Sequence, residues 1–350
     1  MTYRYRLTPV LLLLVITSVE ARPKDYLKRP DAWFAGEEAE RMGTNILSYQ
    51  SELGGWPKNV ETTAGPYSGD RKKLKPTYDN RATTDELRFL ARLYNVTKNK
   101  TYRDAFDRGL NYVLEGQYDN GGWPQSTPPG TGYSRYITFN DDAMVRLLIF
   151  VREITSSKTY DFVDEDHRQA ASIAFDRGID CILKCQIQVD GKRTAWCAQH
   201  DEIDFHPQSA RTYELATLSG AESVGVTSLL MSIENPSPEI INAVEASVAW
   251  YRKAMLTGIR VIDQKGDKGQ NGVNKVVVND PAAPPLWARF YDIQTNLPIF
   301  VDRDGIPKKA LADIGYERRN GYVWYGNWPQ KVLDDEYQEW KQQNTAKPKE

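Results

Sequence analysis

The sequence predicts a mainly α fold, an α/α toroid or barrel of repeated antiparallel helix pairs whose long loops gather at one end. Three observations predict it. The segment AFDRGLNYVLEGQ (Ala105 to Gln117) returns as AFDRGIDCILKCQ (Ala174 to Gln186), identical at seven of thirteen positions and similar at most of the others. Apolar residues recur at helical spacing along much of the chain. Alternating patterns are scarce, and NKVVVND (Asn274 to Asp280) is the best short strand candidate.

The chain opens on MTYRYRLTPVLLLLVITSVEA. Arg4 and Arg6 precede an apolar run from Val10 to Ile16, and small residues lead to Ala21. This pattern reads as a secretory signal peptide over 1–21, and a secreted or periplasmic product is expected. The run is far short of the roughly 20 residues a membrane span needs, so no membrane association is expected after cleavage. A single domain is expected over 22–340, with 341–350 as a flexible tail. Removing 1–21 takes away two Arg and one Glu, which moves the net charge from −2 to −3. A near-neutral chain argues against a broad basic face for nucleic acid.

A fainter copy of the repeat, ERMGTNILSYQ, ends at Gln50. GGWPKN lies downstream of Gln50, GGWPQ downstream of Gln117, and VDGKRTAWCAQH downstream of Gln186. The period of roughly 70 residues suits one helix pair with its loops. In TTDELRFLARLY, Leu87, Leu90, Ala91 and Tyr94 fall on one helical face, and Thr83 with Glu86 reads as a capping box. In NDDAMVRLLIFVREI, Asn140, Asp141 and Asp142 supply the start, while Val145, Leu148 and the run from Phe150 to Ile154 supply the apolar side. Ser219 and Glu222 read as a second capping box before SVGVTSLLMSI, and IINAVEASVAWYRKAM gives a later helix.

In such a barrel the residues just before the inner helices point toward the end where the loops meet. YDNRATTDE, FNDDAM and HPQSARTYELATLSG occupy that position, so the chemistry is expected at Asp79, Asp141, Asp142 and Arg211. Aspartates before helices commonly serve as caps or Asx-turns. Carboxylates brought together from separate loops would instead suit a hard cation such as calcium. Arg211 stands in its loop with no evident partner. Arg289, in WARFYD, has aromatic neighbours, and both arginines suit either a carboxylate of the chain (Glu214 or Asp292) or an anionic ligand. The run RKKLK (Arg71 to Lys75) is a solvated loop or an attractor of acidic polymer. Trp56 and Trp123 are either packing repeats or platforms for sugar rings. Cys181, Cys185 and Cys197 form no disulfide framework, and zinc with His200 and His206 is a minor alternative. Asn95 and Asn99 begin glycosylation sequons.

Taken in order, GGWPKN, YDNRATTDE, GGWPQ, FNDDAM, SARTYELATLSG and LWARFYD resemble the family 10 pectate lyases, over most of the chain from Gly54 to Asp304. The resemblance implies an (α/α)3 toroid, cleavage of polygalacturonate or pectin by β-elimination, and calcium as cofactor. It implies Arg211 as the catalytic base, Arg289 as a substrate-binding residue, and Asp79 and Asp141 as functional acids that hold the metal. Arg81 departs from the family pattern, which has a small residue there. A monomer is expected for an enzyme working on a polymer. Two other readings stand beside this one. The first is a glycoside hydrolase using Asp79 with Asp141 or Asp142 as acid and base. The second is a pectate-binding protein without activity.

Overall fold

The computed structural model describes residues 22–265 and 272–345, so the expected signal peptide and residues 346–350 lie outside the described residues. Eleven α-helices occur among the described residues, in chain order. Two single-turn helices, α1 (Pro23–Tyr26) and α2 (Asp31–Phe34), lead into α3 (Glu37–Ser48). Then come α4 (Thr84–Thr97), α5 (Lys100–Glu115), α6 (Ala143–Ser156), α7 (Glu165–Cys185), α8 (Glu222–Met231) and α9 (Pro238–Ala254). The short α10 (Tyr316–Gly321) and α11 (Tyr337–Thr345) follow; α11 carries helix past residue 340, into the expected tail.

The long helices stack in two rows, as the repeat predicts. An inner row runs α4, α6, α8, and an outer row α3, α5, α7, α9, each inner helix packing on its outer neighbours. Local signals set the boundaries. Asn99 caps α5 by accepting from the Thr101 N–H at 3.0 Å, and Asp164 caps α7 by accepting from the His167 N–H at 3.0 Å. Ser237 followed by Pro238 opens α9.

The repeat is held by the same bonds each time. Gln50, Gln117 and Gln186 each donate to a carbonyl of their own loop (Gly54, Gly121, Thr194) and to one of the next outer helix (Ala105, Ala174, Ala243). Trp56, Trp123 and Trp196 are fully buried, and their indole N–H groups donate to Ile46, Val113 and Ile182 carbonyls. They are packing elements and not sugar platforms. Gly109 and Gly178 are needed beneath them, because a Cβ would strike Leu87 and Trp56 in one copy, and Leu148 and Trp123 in the other.

NKVVVND does form a strand: Val273–Asn279 pairs antiparallel with Ile259–Lys265. Beyond the helical core, Tyr213, Phe290, Phe300, Leu311, Ile314 and Trp324 make a second small core. Two-residue ladders tie this part to the repeat loops, including Leu218–Ser219 with Phe290–Tyr291. None of the described helices is long and apolar enough to cross a membrane. The three cysteines are free and buried. His200 is committed to the backbone: its Nε2 accepts from the Cys197 N–H and its Nδ1 faces the Phe205 carbonyl at 2.8 Å, which removes it from any zinc site. The Asn95 amide is likewise engaged, donating to the Thr159 carbonyl at 2.7 Å.

Candidate active site

Two turns at the loop end carry the expected acids. Tyr78–Arg81 and Phe139–Asp142 follow similar backbone paths, with left-handed residues at Asn80 (φ 53°) and Arg81 (φ 70°) and again at Asp141 (φ 50°) and Asp142 (φ 57°), and they part at Ala82 (ψ 149°) and Ala143 (ψ −58°). Asn and Asp tolerate that region better than most residues, which is why such turns are rich in them. Asp79 therefore matches Asn140 in position, and Asn80 matches Asp141. Neither expected capping box is complete. The Thr83 hydroxyl donates to the Thr77 carbonyl and accepts from the Trp56 N–H, while Glu86 accepts from Thr62. Ser219 makes only half of its box: its hydroxyl accepts from the Glu222 N–H at 3.1 Å and donates to the Glu222 carboxylate, but its own N–H goes to the Trp196 carbonyl.

Asp79 is buried, and its Oδ2 accepts from Lys58 and, at 3.0 Å, from Gln125. Both donors directly follow the Trp-Pro pair of their GGWP copies, a positional signal that the sequence carried but that went unread. Its Oδ1 is buried with no partner among the described residues. Asp141 is half-exposed and lies 3.7 Å from the Arg289 guanidinium. Burial raises its pKa, Arg289 opposes this, and the charges of Asp79 and Glu222 add to the rise.

Arg289 is nearly buried and pairs with Glu222, not with the Asp292 that the sequence offered. Burial pulls its pKa down, but the charges of Glu222, Tyr322 and Asp141 outweigh burial and hold it above the ordinary arginine value. Its Nε is buried without a partner. Asp79 Oδ1 and Arg289 Nε are thus a buried acceptor and a buried donor that are unmet among the described residues, and the titration of Asp141 feels both residues. Asp141, Asp142, Glu222, Arg289, Arg81 and Arg146 line the adjoining cavity of about 310 Å³.

Arg211 is where the structure corrects the sequence reading most. It is not free: Nε donates to Glu214 at 2.6 Å and Nη2 donates to the other carboxylate oxygen. The Glu214 hydrogen bonds push its pKa well above the ordinary value, so it is a firm guanidinium here. Glu214 also accepts from the Tyr322 hydroxyl at 2.7 Å, and the Tyr322 ring lies 4.9 Å from the Arg289 guanidinium. One tyrosine therefore links the Arg211 pair to the pocket. Glu222 and Tyr322 were not singled out by sequence reasoning as site residues, because their partners lie far away in the chain.

Hard carboxylate oxygens fit a calcium ion in kind, and the orphaned Asp79 oxygen is suited to one. Among the described residues, however, no three Asp, Glu, His or Cys side chains make a complete metal cage.

Stacked α/α helix pairs that present carboxylates and guanidinium groups at their loop end suit an enzyme acting on an acidic polymer, and the comparisons with known proteins make the class a lyase of polysaccharide. The particular family follows from the sequence: the chain belongs to the pectic acid lyases, whose family model matches residues 50–333. Two solved structures of a family 10 polysaccharide lyase from Cellvibrio cellulosa are similar, one of them an aspartate-to-alanine mutant in complex with trigalacturonic acid. Each is 35% identical with a TM-score of 0.76 over 88% of this chain, covering 97% of the mutant and 96% of the other. No curated protein matches. Membership supports a pectate lyase over the hydrolase and the inactive binding protein.

Proposed function

We propose that this chain cleaves polygalacturonate by calcium-assisted β-elimination in the pocket of Asp79, Asp141 and Arg289. The supporting observation is that Asp141 and Arg289 stand 3.7 Å apart on one cavity wall, while a buried Asp79 oxygen and a buried Arg289 nitrogen have no partner among the described residues. Galacturonate carries its carboxylate on C5, so the C5 proton is α to a carbonyl and its removal builds negative charge next to an existing one. Arg289, which lines the cavity, would donate to that carboxylate and orient the ring. Asp79 and Asp141 would hold calcium, with the polymer's own carboxylate supplying what the protein set lacks. Bound there, the ion would neutralise the charge that proton removal creates. As the C5 proton leaves, the C4–O4 bond breaks and an unsaturated sugar remains.

Arg211 is our candidate base, and Glu214 weighs against it. A guanidinium in a two-point carboxylate pair gives up its proton only at very high pH, so this reading carries an alkaline optimum. The Glu214 pair favours a second assignment, in which Arg211 remains a cation that orients substrate and solvent takes the proton. The signal-peptide pattern over 1–21 supports action outside the cytoplasm. The decisive assay follows the ultraviolet absorbance of the C4–C5 double bond on polygalacturonate, with calcium and then with a chelator. A calcium-dependent rise supports the proposal; new reducing ends without that absorbance would overturn it.

A further inference from the structure

The pocket holds more positive charge than the reaction accounts for. Arg22, Lys24, Arg81, Arg146 and Arg289 line it against three carboxylates, those of Asp141, Asp142 and Glu222. Arg289 is engaged by Glu222, and Arg146 by Asp142 at 3.4 Å and by the Asp141 carbonyl. Arg81 is different. It is half-buried, and among the described residues its guanidinium makes no hydrogen bond or ion pair. Burial and then the charge of Arg81 push the pKa of Arg146 down against the charges of Asp142, Asp85 and Asp141; Arg81 acts on Asp85 and Asp142 in turn, yet forms no direct bond with either.

The backbone points the same way. Arg81 holds a left-handed conformation (φ 70°) that glycine adopts at less cost. Its counterpart in the second turn, Asp142, carries the opposite charge. A bulky cation kept in a strained position, facing a cavity and unpartnered, is a reason to look for a ligand.

We propose that Arg81, with Lys24 beside it on the wall, is a second carboxylate site that holds the galacturonate next to the one bound by Arg289. This rests on the polygalacturonate reading above. The planar guanidinium fork matches a carboxylate with two hydrogen bonds. Location sets which sugar it takes. Lys24, Arg81, Asp142 and Arg146 also line a larger cavity of about 760 Å³, so Arg81 stands at the margin of the reacting pocket and not at its centre.

Arg81→Gly tests this, since glycine removes the side chain and relieves the backbone together. The expected result is a KM for polygalacturonate raised about tenfold, the loss of one charge-assisted contact, with kcat within about twofold. The melting temperature should be equal or higher, and Arg81→Lys should recover part of the KM. The KM ratio of variant to native should shrink on partly methyl-esterified pectin, where fewer carboxylates are available. An unchanged KM in folded Arg81→Gly, or an equal rise on both substrates, overturns the site. If the native chain yields no unsaturated product, the elimination reading fails instead. Calorimetric titration of trigalacturonate into native and Arg81→Gly chains then decides Arg81 by itself, with about tenfold weaker binding expected and equal binding fatal to the proposal.

Discussion

The turns Tyr78–Arg81 and Phe139–Asp142 follow similar backbone paths and differ in chemistry at nearly every position that matters. The first has Asp79, Asn80 and Arg81; the second has Asn140, Asp141 and Asp142. The inversion continues into the helices, where Asp85 stands opposite Arg146 in the repeat and buried Glu86 opposite buried Leu147. The shared path comes from the repeated loop, in which Thr77 and Thr138 each donate through the backbone to the carbonyl of the buried tryptophan of their copy. The difference teaches that repetition supplies a rigid pair of platforms, and that the site is written in the residues that break the repetition.

The largest expected effect comes from making the second turn resemble the first. Asp141→Asn reproduces the uncharged side chain of Asn80, and it should cut kcat/KM by roughly a hundred- to a thousandfold. Elimination rates at saturating calcium check this; a mild loss would mean that the two turns are equivalent scaffolds after all.

Glu86 is the next test, since its counterpart is a leucine. Burial, then the Asp85 charge, raises its pKa to about 7. A folded value above the unfolded one means the native state holds the proton longer, so stability falls as pH rises from the ordinary carboxylate range through about 7. Glu86→Gln should remove that slope and gain ~1–3 kcal/mol above pH 7, as denaturant titrations at low and high pH would show.

The third repeat has no such double turn, and the Arg211 loop stands in its place. Glu214→Gln removes the charge that holds the Arg211 pKa up. If Arg211 is the base, the rising limb of the pH–rate profile should move about one unit or more toward neutrality. A limb that stays in place sharpens the case for Arg211 as a permanent cation.

The smallest effect concerns folding. Asp79→Asn makes the first turn match Asn140 and loses the ionic half of its bond to Lys58. Because Lys58 is 39% exposed and can turn to water, the cost in stability should be only about 1 kcal/mol, read from a denaturant midpoint.

The helix pairs were legible because periodicity and near-identical copies are properties of neighbouring residues. The strand at Val273–Asn279 was legible for the same reason. The Thr83 capping box was misread because its hydroxyl is taken by Thr77 and Trp56, and the Ser219 box closes only halfway because the Ser219 N–H is taken by the Trp196 carbonyl. Asp79, Asp141 and Arg289 were read as site residues, and the structure brings their surroundings together. Glu222, Tyr322, Lys58 and Gln125 were not read as part of it, since each touches the site across a long stretch of chain.

Sequence by itself determined the repeated helix pairs and the loops expected to face the chemistry, because these follow from spacing within one segment, whereas the burial of Trp56 and Trp123 was decided by the structure. Tertiary structure alone decided how the charges pair: Glu222 with Arg289, Lys58 and Gln125 with Asp79, and Glu214 with both Arg211 and Tyr322. An ion pair depends on a few ångströms between side chains, and stacking one helix pair on the next sets that distance.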